Sequence, residues 1–239
     1  MTKNNNMKKL TLTFCLLTSF SIYSQFKYQA NSIESFNSYL SLAKEQDKLV
    51  LIDFVADWCG PCKKMDSELW KSKQFKELDY MFIEVDIDVN SVLSSRFRVS
   101  SIPRVIIQVA NTENDILFDQ LGYSTKNEYL KKLQYLNSFD YSELYNSNGD
   151  FENMGHSYRN LFFSDVSKNN IFLKFSSKYF KKAFKAKESN LNQLNLIYNQ
   201  ALLGQHKKAK KKLAKINLDG KEFSNSEHEL IEKILIASN

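Results

Sequence analysis

The chain has 239 residues, of which 43% are hydrophobic and 25% charged, and its formal net charge is +6 at pH 7. This length allows one ordinary domain with an appendage, or two small domains, and the composition is that of a globular protein. Three cysteines in the whole chain exclude a disulfide-rich secreted scaffold, which uses many cysteines at wide spacing.

Residues 1–24 predict a signal peptide. Two lysines precede an apolar run from residue 10 to about residue 23, and small Ser24 stands before Gln25 at the expected cleavage point. The run is short and rich in Ser and Thr, whereas a membrane span needs about 20 apolar residues. Lipidation of Cys15 is disfavoured because small residues do not precede it. The alternatives to a cleaved signal are an uncleaved anchor and a buried or disordered N-terminal helix. We therefore expect an exported protein, periplasmic or extracellular.

Residues 25–139 predict an α/β domain with a mixed central sheet and helices on both faces, because strand–helix–strand units are followed by a hairpin. The expected elements, in chain order, are a short strand near 26–30, a helix at 31–46, a strand at 48–56, a helix from Cys59 to about Leu78, a strand at 80–87, a short helix at 89–99, strands at 103–110 and 115–121, and a helix at 124–139 capped by Ser124 or Thr125.

Residues 140–150 predict a polar linker, and residues 151–239 predict an all-α C-terminal segment. Gly204 is expected to end one helix of this segment before another begins. The spacing of Ala201, Gly204, Ala209 and Leu213 resembles one tetratricopeptide-like hairpin. A simple helical hairpin or small bundle is the alternative.

The C-terminal segment also carries the basic surplus, with 16 Lys+Arg against nine Asp+Glu in residues 150–239. Two basic runs with interleaved apolar residues, at 181–187 and 206–215, are typical of helices that dock on anionic lipid or acidic proteins. A solvated helix face is the alternative. Nucleic acid is not an expected partner, because the surplus is modest and no recognition motif is present.

Cys59 and Cys62 are separated by Gly-Pro, directly after a predicted buried strand. A structural zinc site needs four ligands, and His156, His206 and His228 are scattered, with no second C-x-x-C pair. A disulfide that closes so short a loop adds little stability through chain entropy. The pair therefore indicates redox chemistry.

The expected helix start makes the two thiols unequal. Cys59 would lie at a helix N-terminus, where free N–H groups and the helix dipole favour a thiolate. Pro61 is tolerated in a first helical turn. Cys62 lies one turn further on, within reach of a mixed disulfide. Cys59 is thus the expected nucleophile and Cys62 the resolving thiol.

The segment "DFVADWCGPCK" resembles the active-site segment of the thioredoxin family, and the resemblance extends over about residues 30–138, including "SIPRVIIQV". It implies a thioredoxin fold followed by the all-α segment, a thiol–disulfide oxidoreductase without cofactor or metal, and protein substrates that contain disulfides. Gly-Pro between the cysteines accompanies strongly reducing members, so we expect a reductase served by a membrane thiol–disulfide electron donor. A disulfide oxidase or isomerase, or a redox-regulated partner-binding module, are the alternatives.

The resemblance also assigns substrate-binding residues. Trp58 would cover the rim of the site, and Gly60 and Pro61 separate the two thiols. The Ile102–Pro103 bond would be a cis peptide beside the cysteines. The backbone of Ile102 would then be free to pair with a bound peptide strand.

Asp53 lies within the first buried strand, where its pKa should be raised. The resemblance gives it the role of assisting proton transfer to Cys62, and a solvated strand-edge position is the alternative. Two positions depart from the family pattern. By this alignment Glu84 lies on the next strand beside Asp53, where a lysine is common, and would raise the Asp53 pKa further or reposition the acid. Arg104 stands where a threonine is common, and would favour a thiolate at Cys59, select acidic substrates or reach solvent.

Overall fold

The computed structural model describes residues 27–111, 115–216 and 222–238. The predicted signal peptide, residues 1–24, its cleavage point and Cys15 lie outside these ranges. Within them, no helix combines the length and apolar character that a membrane crossing requires.

One mixed sheet of five strands forms the centre of the α/β part, with strand order β1-β3-β2-β4-β5. The strands β1, β3 and β2 pair in parallel, and β4 pairs antiparallel with both β2 and β5. Helices flank this sheet and continue beyond it, so the predicted fold class is confirmed. The strands are β1 (Lys27–Gln29), β2 (Leu49–Val55), β3 (Tyr80–Asp86), β4 (Arg104–Gln108) and β5 (Ile116–Leu121).

The helices of the α/β part connect and follow these strands, and those of the C-terminal part follow one another along the chain. The helices are α1 (Ile33–Glu45), α2 (Gly60–Met65), α3 (Lys73–Lys76), α4 (Ser91–Arg96), α5 (Lys126–Asn137), α6 (Ser142–Asn146), α7 (Phe151–Ser164), α8 (Asn170–Ala186), α9 (Asn190–Leu202), α10 (His206–Ala214) and α11 (Asn225–Ala237), with a π-helical turn at Asp66–Trp70.

The central strand β2 positions the site. It is buried along nearly its whole length, because β3 and β4 flank its edges and helices cover the sheet. The chain leaves this strand after Val55 and reaches the cysteine pair four residues later.

The single helix expected from Cys59 to about Leu78 is wrong. The helix passes from α2 into the π-helical turn and stops at Trp70, and α3 begins after Ser72. The Ser72 hydroxyl accepts a hydrogen bond from the Phe75 backbone N–H and so caps a new helix. The π-helical turn buries the Trp70 side chain, which matters for the site below.

Residues 140–150, predicted as a polar linker, contain α6 and pack into the core. Tyr141, Leu144 and Tyr145 are all buried because their spacing puts them on one face of a helical turn. The Tyr145 hydroxyl donates to the carbonyl of Lys48 at 2.6 Å, just before β2. The C-terminal helices are therefore joined to the α/β part through a packed segment.

A buried carboxylate strengthens this connection. Asp115, which precedes β5, is fully buried and accepts hydrogen bonds from the hydroxyls of Tyr158 on α7 and Tyr179 on α8. It also forms an ion pair with Lys178. Since a buried carboxylate is costly unless it is paired, these donors tie α7 and α8 to the hairpin that β4 and β5 form.

The helices α9, α10 and α11 share a second apolar cluster of their own. The helix α9 ends before Gly204, as the sequence predicts, and Gly204 has a φ of +75°, which glycine adopts without strain. The helices α9 and α10 thus form a helical hairpin.

Candidate active site

The cysteine pair lies at the start of α2, as predicted. Cys59 is the N-cap residue of this helix, and its Sγ accepts a hydrogen bond from the Cys62 backbone N–H at 3.1 Å. The two cysteines are joined in a disulfide, and both are buried. No group of three or more His, Cys, Asp or Glu side chains in the described ranges could hold a metal ion.

The predicted cis peptide is confirmed at Ile102–Pro103, directly before β4. Register places Arg104 opposite Phe54, so Pro103 lies beside the end of β2 where the chain turns toward the cysteines. The Pro103 carbonyl accepts a hydrogen bond from the Gly122 N–H at 2.7 Å. Gly122 has a φ of +76°, which explains a glycine after the last strand.

Exposed side chains surround the buried thiols. Trp58 is 68% exposed, and its indole N–H donates to the Asp88 carboxylate at 2.8 Å, which holds the ring in place. Gly60 and Pro61 are exposed, and Ile102 is half-buried. The substrate-binding residues implied by the resemblance therefore include an apolar surface that is open to solvent.

Asp53 is 2% exposed, which excludes the solvated-edge alternative. Its Oδ2 accepts a hydrogen bond from the Trp70 indole N–H at 2.7 Å, while its Oδ1 has no partner. Burial raises the pKa of Asp53 to about 7, against the opposing effect of the Trp70 hydrogen bond. The carboxyl therefore exchanges its proton near neutral pH.

The expected register of Glu84 is confirmed, because Glu84 pairs directly with Asp53 across β2 and β3. Its negative charge raises the Asp53 pKa, as expected. The opposing cation comes from β1, where Lys27 contacts Glu84 at 2.6 Å and Asp66 at 3.1 Å. The Lys27 charge lowers the Asp53 pKa.

The sequence analysis missed three residues that affect the Asp53 pKa, namely Lys27, Trp70 and Asp66. Lys27 lies in a three-residue strand whose partner, β3, is known only from the topology. Trp70 would lie on an ordinary helix in the sequence prediction, and the π-helical turn changes its direction.

The Arg104 side chain pairs within the fold and does not simply reach solvent. Its guanidinium donates to both oxygens of Asp119, at 2.8 and 2.7 Å, and to the carbonyl of Phe97 at 2.6 Å. Its charge is thus paired and its side chain is 13% exposed. Arg104 fixes β4 to β5 and to the loop after α4.

Comparison with known proteins agrees with this fold and with the position of the cysteine pair. The family model described as Thioredoxin matches residues 28–134. The thioredoxin of Mycoplasmoides gallisepticum is 38% identical over 87 residues, which cover 36% of this chain and 82% of that protein. Thioredoxin H8 of Arabidopsis thaliana is 29% identical over 98 residues, covering 41% of this chain and 66% of that protein.

The chain belongs to the thioredoxin family. It spans between 61% and 66% of the length of the plant relatives Thioredoxin H8 and the H-type thioredoxin of Brassica campestris. Among solved structures, thioredoxin NaTrxh of Nicotiana alata is 26% identical, with a TM-score of 0.39, and the match covers 45% of this chain and 90% of that one.

The substitution Trp70→Phe should raise the Asp53 pKa by about one unit, because it removes a hydrogen bond that stabilises the carboxylate while keeping an aromatic ring. The pKa is measured from the carboxyl carbon chemical shift of Asp53 across a pH series. Trp58→Phe is the matched control, since its indole bonds Asp88 instead. An unchanged or lowered pKa in Trp70→Phe contradicts the assignment.

The substitution Asp53→Asn should remove a pH-dependent part of the stability. The pKa of Asp53 rises on folding from 3.8 to about 7, so the folded state keeps a proton that the unfolded chain releases between these values. Stability therefore falls as pH rises through this window, by up to about 4 kcal/mol. Urea unfolding between pH 4 and pH 8 should show that the free energy of unfolding of Asp53→Asn rises relative to that of the natural chain as pH rises. Parallel profiles would refute this cause.

Proposed function

We propose that this protein is a thiol–disulfide oxidoreductase that reduces disulfides in proteins. The observation that carries the proposal is the pair Cys59–Cys62 at the N-terminus of α2, joined in a disulfide one helical turn apart. The N–H of Cys62 already donates to the Cys59 sulfur and would stabilise a thiolate there.

In the reducing direction the reaction has two exchange steps. The Cys59 thiolate attacks a substrate disulfide, forming a mixed disulfide and releasing one substrate thiolate. The Cys62 thiolate then attacks the Cys59 sulfur and releases the second substrate thiolate. Two electrons pass to the substrate, and the protein is left with the Cys59–Cys62 disulfide that the structure contains.

The second step needs the Cys62 thiol to lose a proton. We assign this to Asp53, whose pKa of about 7 lets it accept and return a proton at neutral pH. The unpartnered Oδ1 is the free position, because Trp70 occupies Oδ2. The indole N–H cannot accept a proton, so Trp70 directs the exchangeable proton of the carboxyl to Oδ1.

The substrate is a protein segment that contains a disulfide and lies across the exposed apolar rim. Trp58 supplies a large surface for such a segment, and Val89 beyond Asp88 adds a second, with 62% of it exposed. The backbone of Ile102, before the cis proline, would pair with the bound strand.

The N-terminal segment supports an exported location, periplasmic or extracellular, as part of the same proposal. An exported reductase works in an oxidising compartment, so a membrane thiol–disulfide donor would have to return electrons to Cys59 and Cys62. A disulfide oxidase or isomerase uses the same two thiols and is distinguished by the reduction potential of the pair.

The substitution Cys62→Ser should trap substrates as stable mixed disulfides on Cys59, because the resolving thiol is lost. In cells that produce the variant, non-reducing electrophoresis should reveal discrete adducts that disappear on reduction. Cys59→Ser is the matched control and should trap none. Equal trapping by both variants would overturn the assignment of nucleophile and resolving thiol.

The direction of exchange is tested by the reduction potential of the Cys59–Cys62 pair, measured by equilibration with redox buffers. We expect a reduction potential of about −270 mV, as in reducing thioredoxins. A value of about −120 to −180 mV would place the protein among oxidants and isomerases and reject the reductase.

A second candidate function is docking on an anionic surface through the lysines of α8 and α10. One observation favours it: the like charges of Lys208 on α10 and Lys181 on α8 add to the effect of burial in lowering the pKa of Lys212. Lys181 of the first basic run is thus near enough to Lys212 of the second for their charges to repel. The full chain should co-sediment with vesicles containing phosphatidylglycerol and not with phosphatidylcholine vesicles, and Lys181→Glu with Lys212→Glu should abolish this difference. Equal sedimentation with both lipids would reject it.

A further inference from the structure

The C-terminal helices contain a buried guanidinium. Arg159 on α7 is 5% exposed, although arginine is rarely buried without a charged partner. Its Nε donates to Asn199 Oδ1 at 2.8 Å, one terminal nitrogen to Asn195 Oδ1 at 2.8 Å, and the other to the Asn195 carbonyl at 3.2 Å. Both asparagines belong to α9, so neutral acceptors from a single helix hold the charge.

The charge of Arg159 has no carboxylate partner in the described part of the chain. Two aromatic rings lie against it instead, with its central carbon 4.6 Å from the Phe180 ring centre and 5.0 Å from that of Tyr198. Burial lowers the pKa of Arg159 to about 10, so the group stays protonated at neutral pH. The fold thus carries the cost of a buried cation with no counter-charge among the residues that the structure describes.

Arg159 lines a cavity of about 540 Å³ between α7, α9 and α11. This volume falls in the range of small-molecule sites. The walls combine polar groups around Arg159 with apolar and aromatic side chains. The wall residues used below are Asn195, Phe163, Leu191, Tyr198 and Leu230.

The remaining charges of the cavity do not neutralise Arg159. Glu229 and Lys233 also line it, but they pair with each other at 2.6 Å and are largely exposed. The pKa of His156 is lowered to about 4 by burial and by the Arg159 charge, so this histidine is neutral at pH 7. One positive charge is therefore left over in the cavity.

If Arg159 only joined α7 to α9, this role would explain its bonds to the two asparagines but not the rest of the site. The guanidinium has five N–H donors, and three of them are used by α9. Neutral side chains would tie α7 to α9 at a lower desolvation cost. A solvent-connected cavity beside an uncompensated cation is the arrangement that a negatively charged ligand completes.

We propose that this cavity binds a carboxylate group, with Arg159 as its counter-charge and Asn195 orienting the guanidinium toward it. The carbon skeleton of the ligand packs against Phe163, Leu191, Tyr198 and Leu230. The ligand is an organic acid with an apolar or aromatic skeleton, or the free C-terminus of a peptide. This site is separate from the cysteine pair and does not depend on the proposed redox function.

The test is isothermal titration calorimetry on the oxidised full chain with benzoate and with its neutral counterpart, benzamide. We expect saturable benzoate binding and at least about tenfold weaker benzamide binding, the difference that a charge-assisted hydrogen bond supplies. A tetrapeptide, Ala-Ala-Leu-Phe, is titrated with a free and with an amidated C-terminus. Preference for the free peptide over benzoate identifies a peptide terminus as the ligand, and benzoate binding alone identifies a small organic acid.

Arg159→Gln should lower benzoate affinity at least about tenfold, because it removes the charge and keeps a polar group. Since Arg159 bridges two helices, a second variant tests the site without touching it. Ser226→Trp places a large ring at an exposed position that lines the cavity and should block benzoate. Glu232→Trp, exposed on the same helix and outside the cavity lining, is the matched control and should leave binding unchanged.

The proposal is overturned if neither benzoate nor the free peptide binds, or if the neutral compounds bind as well as the charged ones. It is equally overturned if Ser226→Trp and Glu232→Trp bind benzoate with the same affinity. Thiol–disulfide exchange should be unchanged in Ser226→Trp, so failure of this site leaves the redox proposal standing and failure of the redox proposal leaves this site standing.

Discussion

The burial of β2 is the constraint on which the rest of the site depends. This strand lies between β3 and β4, under helices, and almost every residue from Leu49 to Val55 is buried. Such a strand must be apolar, because unpaired polar groups inside a sheet are costly. Its one charged residue, Asp53, departs from that rule, and the strand's end delivers the chain to the cysteine pair. The same element thus places the acid–base group and the thiols.

The protonation of Asp53 results from competition between burial and a few directed contacts. Burial and the facing Glu84 favour the neutral acid, whereas the Trp70 hydrogen bond and the Lys27 charge favour the carboxylate. The result lies near neutrality, where a group is most effective in passing protons. Lys27 is held by Glu84 and Asp66, so β1, β3 and the π-helical turn all contribute to one equilibrium.

The C-terminal helices are part of the same folded unit as the sheet. The Tyr145 hydroxyl donates a hydrogen bond to the backbone before β2, and Asp115 accepts hydrogen bonds from tyrosines of α7 and α8. This construction leaves the outer helices, α9 to α11, with an apolar cluster of their own. Arg159 lies at the boundary between α7 and α9, which is where two independently packed layers meet and a cavity can persist.

The sequence by itself determined the order of the five strands, the place of the cysteine pair at a helix start and the helix end at Gly204. Local rules suffice for these features: an apolar run makes a buried strand, Pro61 fits a first helical turn, and Gly204 ends a helix. The pairing of Asp53 with Glu84 is expected from the resemblance to the thioredoxin family and not from a local rule.

Only the tertiary structure decided which groups reach Asp53, because Lys27 and Trp70 approach from a short strand and a π-helical turn that leave no periodic signal. It also decided that Arg104 is paired with Asp119 and that residues 140–150 pack into the core, since both depend on long-range contacts between segments. Local sequence specifies backbone conformation, whereas the partner of a charged side chain depends on how distant segments meet.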